Sequence, residues 1–267
     1  MMRRFVWNIF LVLAGLLLFA PVVIFGLYGF STRYFYPQLI PSYWSATAFL
    51  RQLTDVRTRQ ALILSLEIGT VVSCLSLLVG YPAARTLGMR PFRGKSVVYM
   101  LLFVPTVVPP VATGIGLNIL FLRTGLAGTV LGVALVHLIP VLPYVVFTLS
   151  SVFARYDPHY EYQALVLGAS RVQVFWTVTL PLIFPGIVVA TLFAFLISWS
   201  QYLLTFLIGG GQVLTLPILL FSTVAGGNPQ ATAVLSLIFV TPVVVILIAT
   251  SRYLATDRVH GESGITL

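Results

Sequence analysis

Charged residues are scarce in this chain of 267 residues. Only 8% of its residues are Asp, Glu, Lys or Arg, whereas 59% are hydrophobic; soluble domains carry about 25% charged residues. This scarcity excludes an ordinary soluble globular protein. The apolar runs of about 20 residues suit helices that cross a bilayer. Because these runs do not alternate with polar residues, a membrane β-barrel is excluded as well.

Cysteine, histidine and acidic residues are equally rare. The chain has one cysteine, three histidines and six acidic residues. A single cysteine excludes an internal disulfide, and we expect Cys74, which lies in an apolar run, to be a small core residue. No residues have metal-ligand spacing, and no nucleophile–base pair is apparent in the apolar runs. We therefore predict no metal, no cofactor and no catalytic residue, and an intramembrane enzyme is disfavoured.

Six apolar runs predict an all-α membrane protein with about six transmembrane helices. The first run is longer than the stretch of about 7–15 apolar residues in a cleavable signal peptide, so it is expected to remain as the first span. We treat 1–267 as a single transmembrane domain. The predicted spans are about 5–30, 61–86, 97–122, 127–153, 182–208 and 231–254.

The basic residues orient these spans. Most of the 15 Lys and Arg residues fall in segments that are cytoplasmic if the N-terminus is cytoplasmic, so the positive-inside rule places both termini in the cytoplasm. The net charge of +9 then reflects membrane topology, and no nucleic-acid partner is predicted. The outer segment 31–60 is expected to hold a small interfacial helix. The longest cytoplasmic connection, 154–181, joins spans four and five.

This connection carries the signals of a helix–turn–helix outside the membrane. Asp157 and Pro158 suit the N-cap and the first position of a short helix. Gly168 is placed to end that helix in the left-handed conformation. Ser170 and Gln173 form a capping box for a second helix, SRVQVFWT, and Leu180-Pro181 follows as the entry to span five.

Both short helices have an apolar side. Tyr160, Ala164 and Leu167 lie on one face of the first helix. The second helix has an apolar side formed by Val172, Phe175 and Trp176. Two interpretations are open. The apolar faces pack on the ends of the protein's own spans, or they dock into a groove of a separate cytoplasmic protein.

The run YQALVLGASRVQVFWTVTLPLIFPGI, 162–187, resembles the signature loop of permease subunits of binding-protein-dependent ABC importers. The resemblance is to the MetI-like type I family, in its polyamine, iron and thiamine branch, and extends over about 60–254. ALILSLEIGTVVSCLSLLVGYPAARTL, VHLIPVLPYVV and SWSQYLLTFLIGGGQVLTLP also resemble family segments. There is one departure: the family glutamate position holds Tyr162, its first alanine is Gln163, and Glu161 lies one residue early.

The resemblance implies a multi-pass, non-catalytic permease subunit in the inner or plasma membrane of a prokaryote. It implies a second permease subunit, identical or paralogous, two cytoplasmic ATPase subunits and an extracytoplasmic substrate-binding protein. The candidate solutes of this branch are polyamine, iron and thiamine. The connection 154–181 becomes the coupling loop to the ATPase, with these candidate residues: Tyr160, Glu161, Tyr162, Ala164, Leu167, Gly168, Ala169, Ser170, Phe175 and Trp176.

The candidate residues of the translocation pathway are Glu67, Trp199, Ser200, Gln201 and Tyr202. An ionisable group at membrane depth suggests function, although Glu67 could instead pair with a neighbouring polar group or snorkel. The segment 199–202 could instead pack against another subunit. We expect Gln201 to face the interior of the helix bundle, because a polar side chain is unfavourable in lipid.

Other residues in the spans suggest structural roles. We expect His137 to form hydrogen bonds between packed helices, and Pro105, Pro109 and Pro110 to break or kink span three. GMRPFRGKS, 88–96, has the wrong glycine spacing for a phosphate-binding loop, so ATP must be hydrolysed by another chain.

The alternative function is a self-sufficient secondary carrier or channel. Such proteins tend to carry several intramembrane charges and inverted repeats. The spans here offer one carboxylate, and no repeat is apparent.

Overall fold

The computed structural model describes residues 2–32, 40–41 and 43–255, and most of these are helical. Two short strands, β1 (Ser31–Thr32) and β2 (Tyr43–Trp44), pair antiparallel with Ser31 opposite Trp44. The helices are, in chain order, α1 (Met2–Gly29), α2 (Thr47–Thr54), α3 (Val56–Met89), α4 (Lys95–Val107), α5 (Pro110–Thr124), α6 (Val130–Ala154), α7 (His159–Val166), α8 (Arg171–Val174), a π-helical turn (Phe175–Thr179), α9 (Leu180–Trp199), α10 (Leu203–Gly209), α11 (Leu216–Ala225) and α12 (Pro229–Ala255).

Five of the described helices are long and apolar enough to cross a membrane, or six if the bent pair α4–α5 is one span. This confirms the prediction of an all-α membrane protein with about six transmembrane helices. The cytoplasmic location of both termini and the assignment of 1–267 to one domain stay predictions.

The described residues form two compact units. The first lies within Met1–Ile63 and Thr215–Val244, and the second within Leu64–Leu214 and Val245–Leu267. In the first unit, the predicted helix of segment 31–60 is α2. The side chain of Asp55 caps the start of α3, because it accepts a hydrogen bond from the backbone N–H of Thr58 at 2.9 Å.

The core of the second unit is formed largely by α6 and α9. Val141, Val145, Leu149 and Phe153 follow one another at intervals of four along α6, and all four are buried. This spacing places them on one ridge of the helix, as helix packing requires. Ile183, Ala190 and Ala194 are the corresponding fully buried residues of α9.

The predicted span 97–122 is two helices that meet at 95°. The break lies at Val108 and Pro109, which are both extended. A proline disfavours the helical conformation of the residue before it, and two successive prolines impose this on Val108 and Pro109. Pro110 then occupies the first turn of α5. Pro105 lies within α4 without ending it, so the predicted break is confirmed only at Pro109 and Pro110.

The predicted span 182–208 has different bounds. The helix is continuous from Arg171 through the π-helical turn to Trp199, so Leu180-Pro181 does not separate a second loop helix from the span. The widened turn lies directly before Pro181, whose ring would otherwise press on the carbonyl four residues earlier. At the other end, the helix stops at Trp199, and α10 starts anew at Leu203.

Cys74 of α3 is exposed, although Ser73 and Ser76 beside it are buried. The expectation that it is a core residue is therefore wrong for the chain by itself. An apolar run in a membrane protein includes side chains that face lipid or a partner, and hydropathy does not separate these from the core.

We expect Gly88→Ala to weaken the packing of α3 on α6. A Cβ atom at Gly88 would lie 2.4 Å from the Cβ atom of Phe153 and 2.7 Å from the carbonyl oxygen of Ser150. Such overpacking costs about 1–3 kcal/mol. The measurement is the thermal unfolding midpoint of the purified protein in detergent. Gly116→Ala is the control, since nothing lies within 4 Å of a Cβ atom there; equal midpoints for the two variants would contradict the prediction.

Candidate functional site

The connection between α6 and α9 contains the predicted first helix and turn, but the second helix, α8, continues through the π-helical turn into α9. Asp157 Oδ1 accepts a hydrogen bond from the backbone N–H of His159 at 2.9 Å, and this bond lowers the pKa of Asp157. The helix α7 starts at His159, one residue later than predicted from Pro158. The capping box of Ser170 and Gln173 is present in both of its hydrogen bonds.

Gly168 ends α7 as predicted. Its φ angle is +90°, in the left-handed region that favours glycine. The N–H of Gly168 donates to the carbonyl of Leu165, and the N–H of Ala169 donates to the carbonyl of Ala164, both at 3.0 Å. These two bonds form a Schellman motif, which fixes the direction in which the chain leaves α7.

The apolar faces of this connection are largely uncovered. The exposed fraction is 87% for Leu167 and 61% for Trp176, and Tyr160 is also exposed. Ala164 is half-buried. Phe175 is half-buried too, and its ring makes an edge contact with Tyr81 of α3 at 6.0 Å between centroids. Most of the apolar face is therefore left available for a partner.

Glu161 points the opposite way, into the protein. Its Oε2 atom accepts a hydrogen bond from Arg85 Nη2 at 2.6 Å. Its Oε1 atom accepts from the hydroxyl groups of Tyr156 at 2.9 Å and Thr179 at 2.8 Å. Successive helix residues are about 100° apart, so Tyr162, at the family glutamate position, is exposed. Glu161 therefore points to a different side of α7 from Tyr162, which holds the family glutamate position in the sequence.

The contacts of Glu161 keep its carboxylate ionised. Partial burial raises its pKa, but hydrogen bonds from Thr179 and Tyr156 and the charge of Arg85 outweigh burial and lower the pKa overall. Burial, together with the hydrogen bond to Glu161, raises the pKa of Tyr156 to about 12. The phenol of Tyr156 therefore remains a donor at physiological pH.

Four of the five pathway candidates lie together at the interruption between α9 and α10. Trp199 is buried and stacks on Phe195, with 5.6 Å between ring centroids. Ser200 is exposed, while Gln201 and Tyr202 are half-buried.

Glu67, the fifth candidate, lies on α3 and is exposed. Its neighbour Gly69 packs on α9, since a Cβ atom at Gly69 would lie 3.0 Å from the ring of Phe195. Glu67 is thus near the end of α9 that precedes the interruption. That these five residues line a pathway stays a prediction.

His137 connects the two sides of this interruption. The side chain is 1% exposed, and its Nδ1 and Nε2 atoms lie 2.9 Å from Ser198 Oγ in α9 and 2.9 Å from Thr205 Oγ1 in α10. The Thr205 hydroxyl donates to the carbonyl of Gln201, so it accepts from Nε2–H, and Nδ1 accepts from Ser198. This confirms the expected packing role. The sequence did not indicate the two partners, which lie 61 and 68 residues away.

The far end of α10 is held by two further contacts. Asn118 of α5 donates its side-chain amide to the carbonyl of Leu207 at 2.7 Å. The backbone N–H of Gly128 donates to the carbonyl of Ile208 at 2.8 Å. These contacts pair carbonyls that have no partner within a helix as short as α10. Among the described residues, no group of three His, Cys, Asp or Glu could hold a metal ion.

Residues 76–259 match the family described as "Binding-protein-dependent transport system inner membrane component". The matched region includes the helix–turn–helix and the interruption between α9 and α10.

Three bacterial permease proteins are similar to the chain over most of its length. The putrescine transport system permease protein PotI of Escherichia coli (strain K12) is 31% identical over 87% of this chain and 85% of its own length. The molybdenum transport system permease protein ModB of Mycobacterium tuberculosis is 30% identical, over 78% and 82%. The spermidine/putrescine transport system permease protein PotC of Haemophilus influenzae is 28% identical, over 93% and 96%.

The fold is also similar to that of a chain in the crystal structure of a bacterial ABC transporter involved in the import of the acidic polysaccharide alginate. The TM-score is 0.76 at 17% identity, over 94% of this chain and 96% of that chain. A chain of the alginate transporter in complex with an alginate-bound periplasmic protein gives 0.58 at 15% identity, over 99% and 98%. At this identity the similarity is one of fold.

We expect Thr205→Val to loosen α10, because the variant leaves His137 Nε2–H without its acceptor. Hydrogen bonds between helices in membranes average about 0.6 kcal/mol and reach about 1.7 kcal/mol. The measurement is the free energy of unfolding in detergent–denaturant mixtures. Thr191→Val is the matched control, since Thr191, like Thr205, donates to the carbonyl four residues earlier. The same loss in both variants would mean that the bond to His137 contributes nothing.

Proposed function

The chain belongs to the family of binding-protein-dependent transport system inner membrane components, and from this premise we propose that it forms one half of a translocation pathway. A second permease subunit, identical or paralogous, supplies the other half. Two cytoplasmic ATPase subunits supply the energy, so that this chain itself is non-catalytic. The family and the apolar spans place the chain in the bacterial inner membrane as a permease of an ABC importer.

The observation that carries the ATPase proposal is the uncovered apolar face of the helix–turn–helix. Leu167, Trp176 and Tyr160 are exposed, although the Schellman turn and the capping box define where α7 ends and α8 begins. Exposed apolar side chains on a rigid helix pair are typical of a docking surface. A helix pair seated in an ATPase groove would follow the rotation of that subunit and would alternate the access of the pathway.

The substrate we favour is a polyamine, delivered by an extracytoplasmic binding protein. Two relatives, PotI and PotC, are named for putrescine and spermidine/putrescine transport, and the exposed side chain of Glu67 provides a carboxylate on α3. The second candidate is molybdate, supported by the similarity to ModB. Iron and thiamine stay predictions from the resemblance. A carboxylate in the pathway would favour a cation and oppose an oxyanion.

Glu67→Gln and Gln201→Leu should reduce uptake without weakening the association with the ATPase, because both residues lie away from the helix–turn–helix. The measurement is uptake of radiolabelled putrescine, and in parallel of molybdate, into proteoliposomes that contain the complete importer. We expect Glu67→Gln to reduce putrescine uptake severalfold. Normal uptake by both variants would exclude these residues from the pathway, and an increase in molybdate uptake would favour the oxyanion.

Leu167→Glu should weaken the binding of the ATPase. Burying a leucine side chain contributes about 1.5–3 kcal/mol, so its loss weakens binding at least about tenfold. The measurement is the amount of ATPase that co-purifies with the tagged permease. Phe92→Glu is the control, since Phe92 is an exposed apolar residue in the other loop predicted to be cytoplasmic. Equal recovery of ATPase with both variants would refute the docking surface.

A further inference from the structure

Glu161 is a point where four segments of the second unit meet. The carboxylate lies on α7, and its donors come from α3 (Arg85), from the residues just after α6 (Tyr156) and from the π-helical turn that leads into α9 (Thr179). Each donor therefore belongs to a different segment. One side chain thus joins the short cytoplasmic helix to three membrane helices or their direct extensions.

The surroundings of Glu161 strengthen its hydrogen bonds to these segments. The Glu161 side chain is 15% exposed, and hydrogen bonds to an ionised group are stronger than those between neutral groups. Aromatic rings pack beside the polar contacts: Tyr81 makes edge contacts with Phe153 at 5.5 Å and with Phe175 at 6.0 Å between centroids. Arg85 Nη1 also approaches the Tyr81 hydroxyl at 3.4 Å.

The same helix offers its other side to a partner. Leu167, Tyr160 and Tyr162 of α7 or its cap are exposed, whereas the carboxylate of Glu161 already accepts three hydrogen bonds within the chain. A carboxylate has about four acceptor positions, so Glu161 has little left to offer to another protein. The helix α7 therefore has exposed apolar side chains on its outer side, whereas Glu161 bonds to the rest of the chain on its inner side.

We propose that Glu161 is a positioning residue for energy coupling, which fastens α7 to α3 and α9 so that a movement of α7 reaches both membrane helices. This proposal rests on the proposed function, in which an ATPase moves α7. Glu161 acts through Arg85, Tyr156 and Thr179 and does not itself bind the ATPase. A loose α7 would still bind the ATPase but would transmit its movement poorly.

The experiment uses the complete importer in proteoliposomes, with Cys74→Ser to remove the one cysteine of this chain and Ser200→Cys, a nearly isosteric change at an exposed position, as a reporter. The rate of labelling by a maleimide is measured with and without ATP, beside ATP hydrolysis and ATPase co-purification. We expect Glu161→Gln to keep ATPase binding and hydrolysis. The ATP-dependent change in labelling should fall about tenfold, the effect on an equilibrium of losing one charge-assisted hydrogen bond.

Asp157→Asn is the matched control. It removes a carboxylate from the same connection, but Asp157 is exposed and contacts only His159 among the hydrogen bonds described here, and asparagine is also a good N-cap. Its labelling should match that of the parent protein. The exchanged pair Arg85→Glu with Glu161→Arg should restore much of the ATP-dependent change, because both hydroxyl groups can also accept hydrogen bonds.

Tyr156→Phe provides a milder variant, which removes one donor and no charge, and we expect it to reduce the ATP-dependent change severalfold. Faster backbone hydrogen exchange in α7 of the Glu161→Gln protein would support the anchor directly. Unchanged labelling in both Glu161→Gln and Tyr156→Phe would overturn the proposal. Loss of ATPase binding in Glu161→Gln would overturn it too, because Glu161 would then be a docking contact. A wild-type importer that binds no ATPase would instead refute the proposed function.

Discussion

Polar groups inside a bilayer must find their partners within the protein, and the interruption between α9 and α10 depends on this constraint. Lipid offers no hydrogen bonds, so a span that stops at Trp199 and restarts at Leu203 needs polar side chains from its neighbours. His137 bonds to Ser198 before the interruption and to Thr205 after it, and Asn118 bonds to the carbonyl of Leu207 near the end of α10. The non-helical segment 200–202 is therefore stabilised by side chains of α5 and α6.

The connection between α6 and α9 meets the same need for polar partners with a charged group. Glu161 is paired inward, and the apolar residues of α7 face outward, which reverses the usual arrangement of a helix on a soluble protein. The polar contacts of Glu161 hold α7 against the ends of its neighbouring spans, and the apolar side chains of α7 are left exposed. A shift of one residue along a helix rotates a side chain by about 100°. For this reason the offset between Glu161 and the family position at Tyr162 changes the side of α7 on which the glutamate lies.

The prolines show how far a residue type alone determines structure. Pro109 and Pro110 end one helix and start another at 95°, whereas Pro105, Pro140 and Pro143 lie inside helices. Each proline lacks the same N–H group and disfavours the same conformation before it. Two adjacent prolines force two successive extended residues, while a single proline leaves a defect that packed neighbours can accommodate.

The sequence by itself determined that the chain is built of membrane helices, the capping box of α8 and the left-handed turn at Gly168, because run length, hydropathy and capping act over a few neighbouring residues. Only the tertiary structure decided what Glu161 and His137 contact, where span five ends and that Cys74 is exposed. The partners of Glu161 and His137 include residues 76, 61 and 68 positions away. Such pairs follow from how α3, α6 and α9 pack, and uniformly apolar spans do not show which of their faces turn inward.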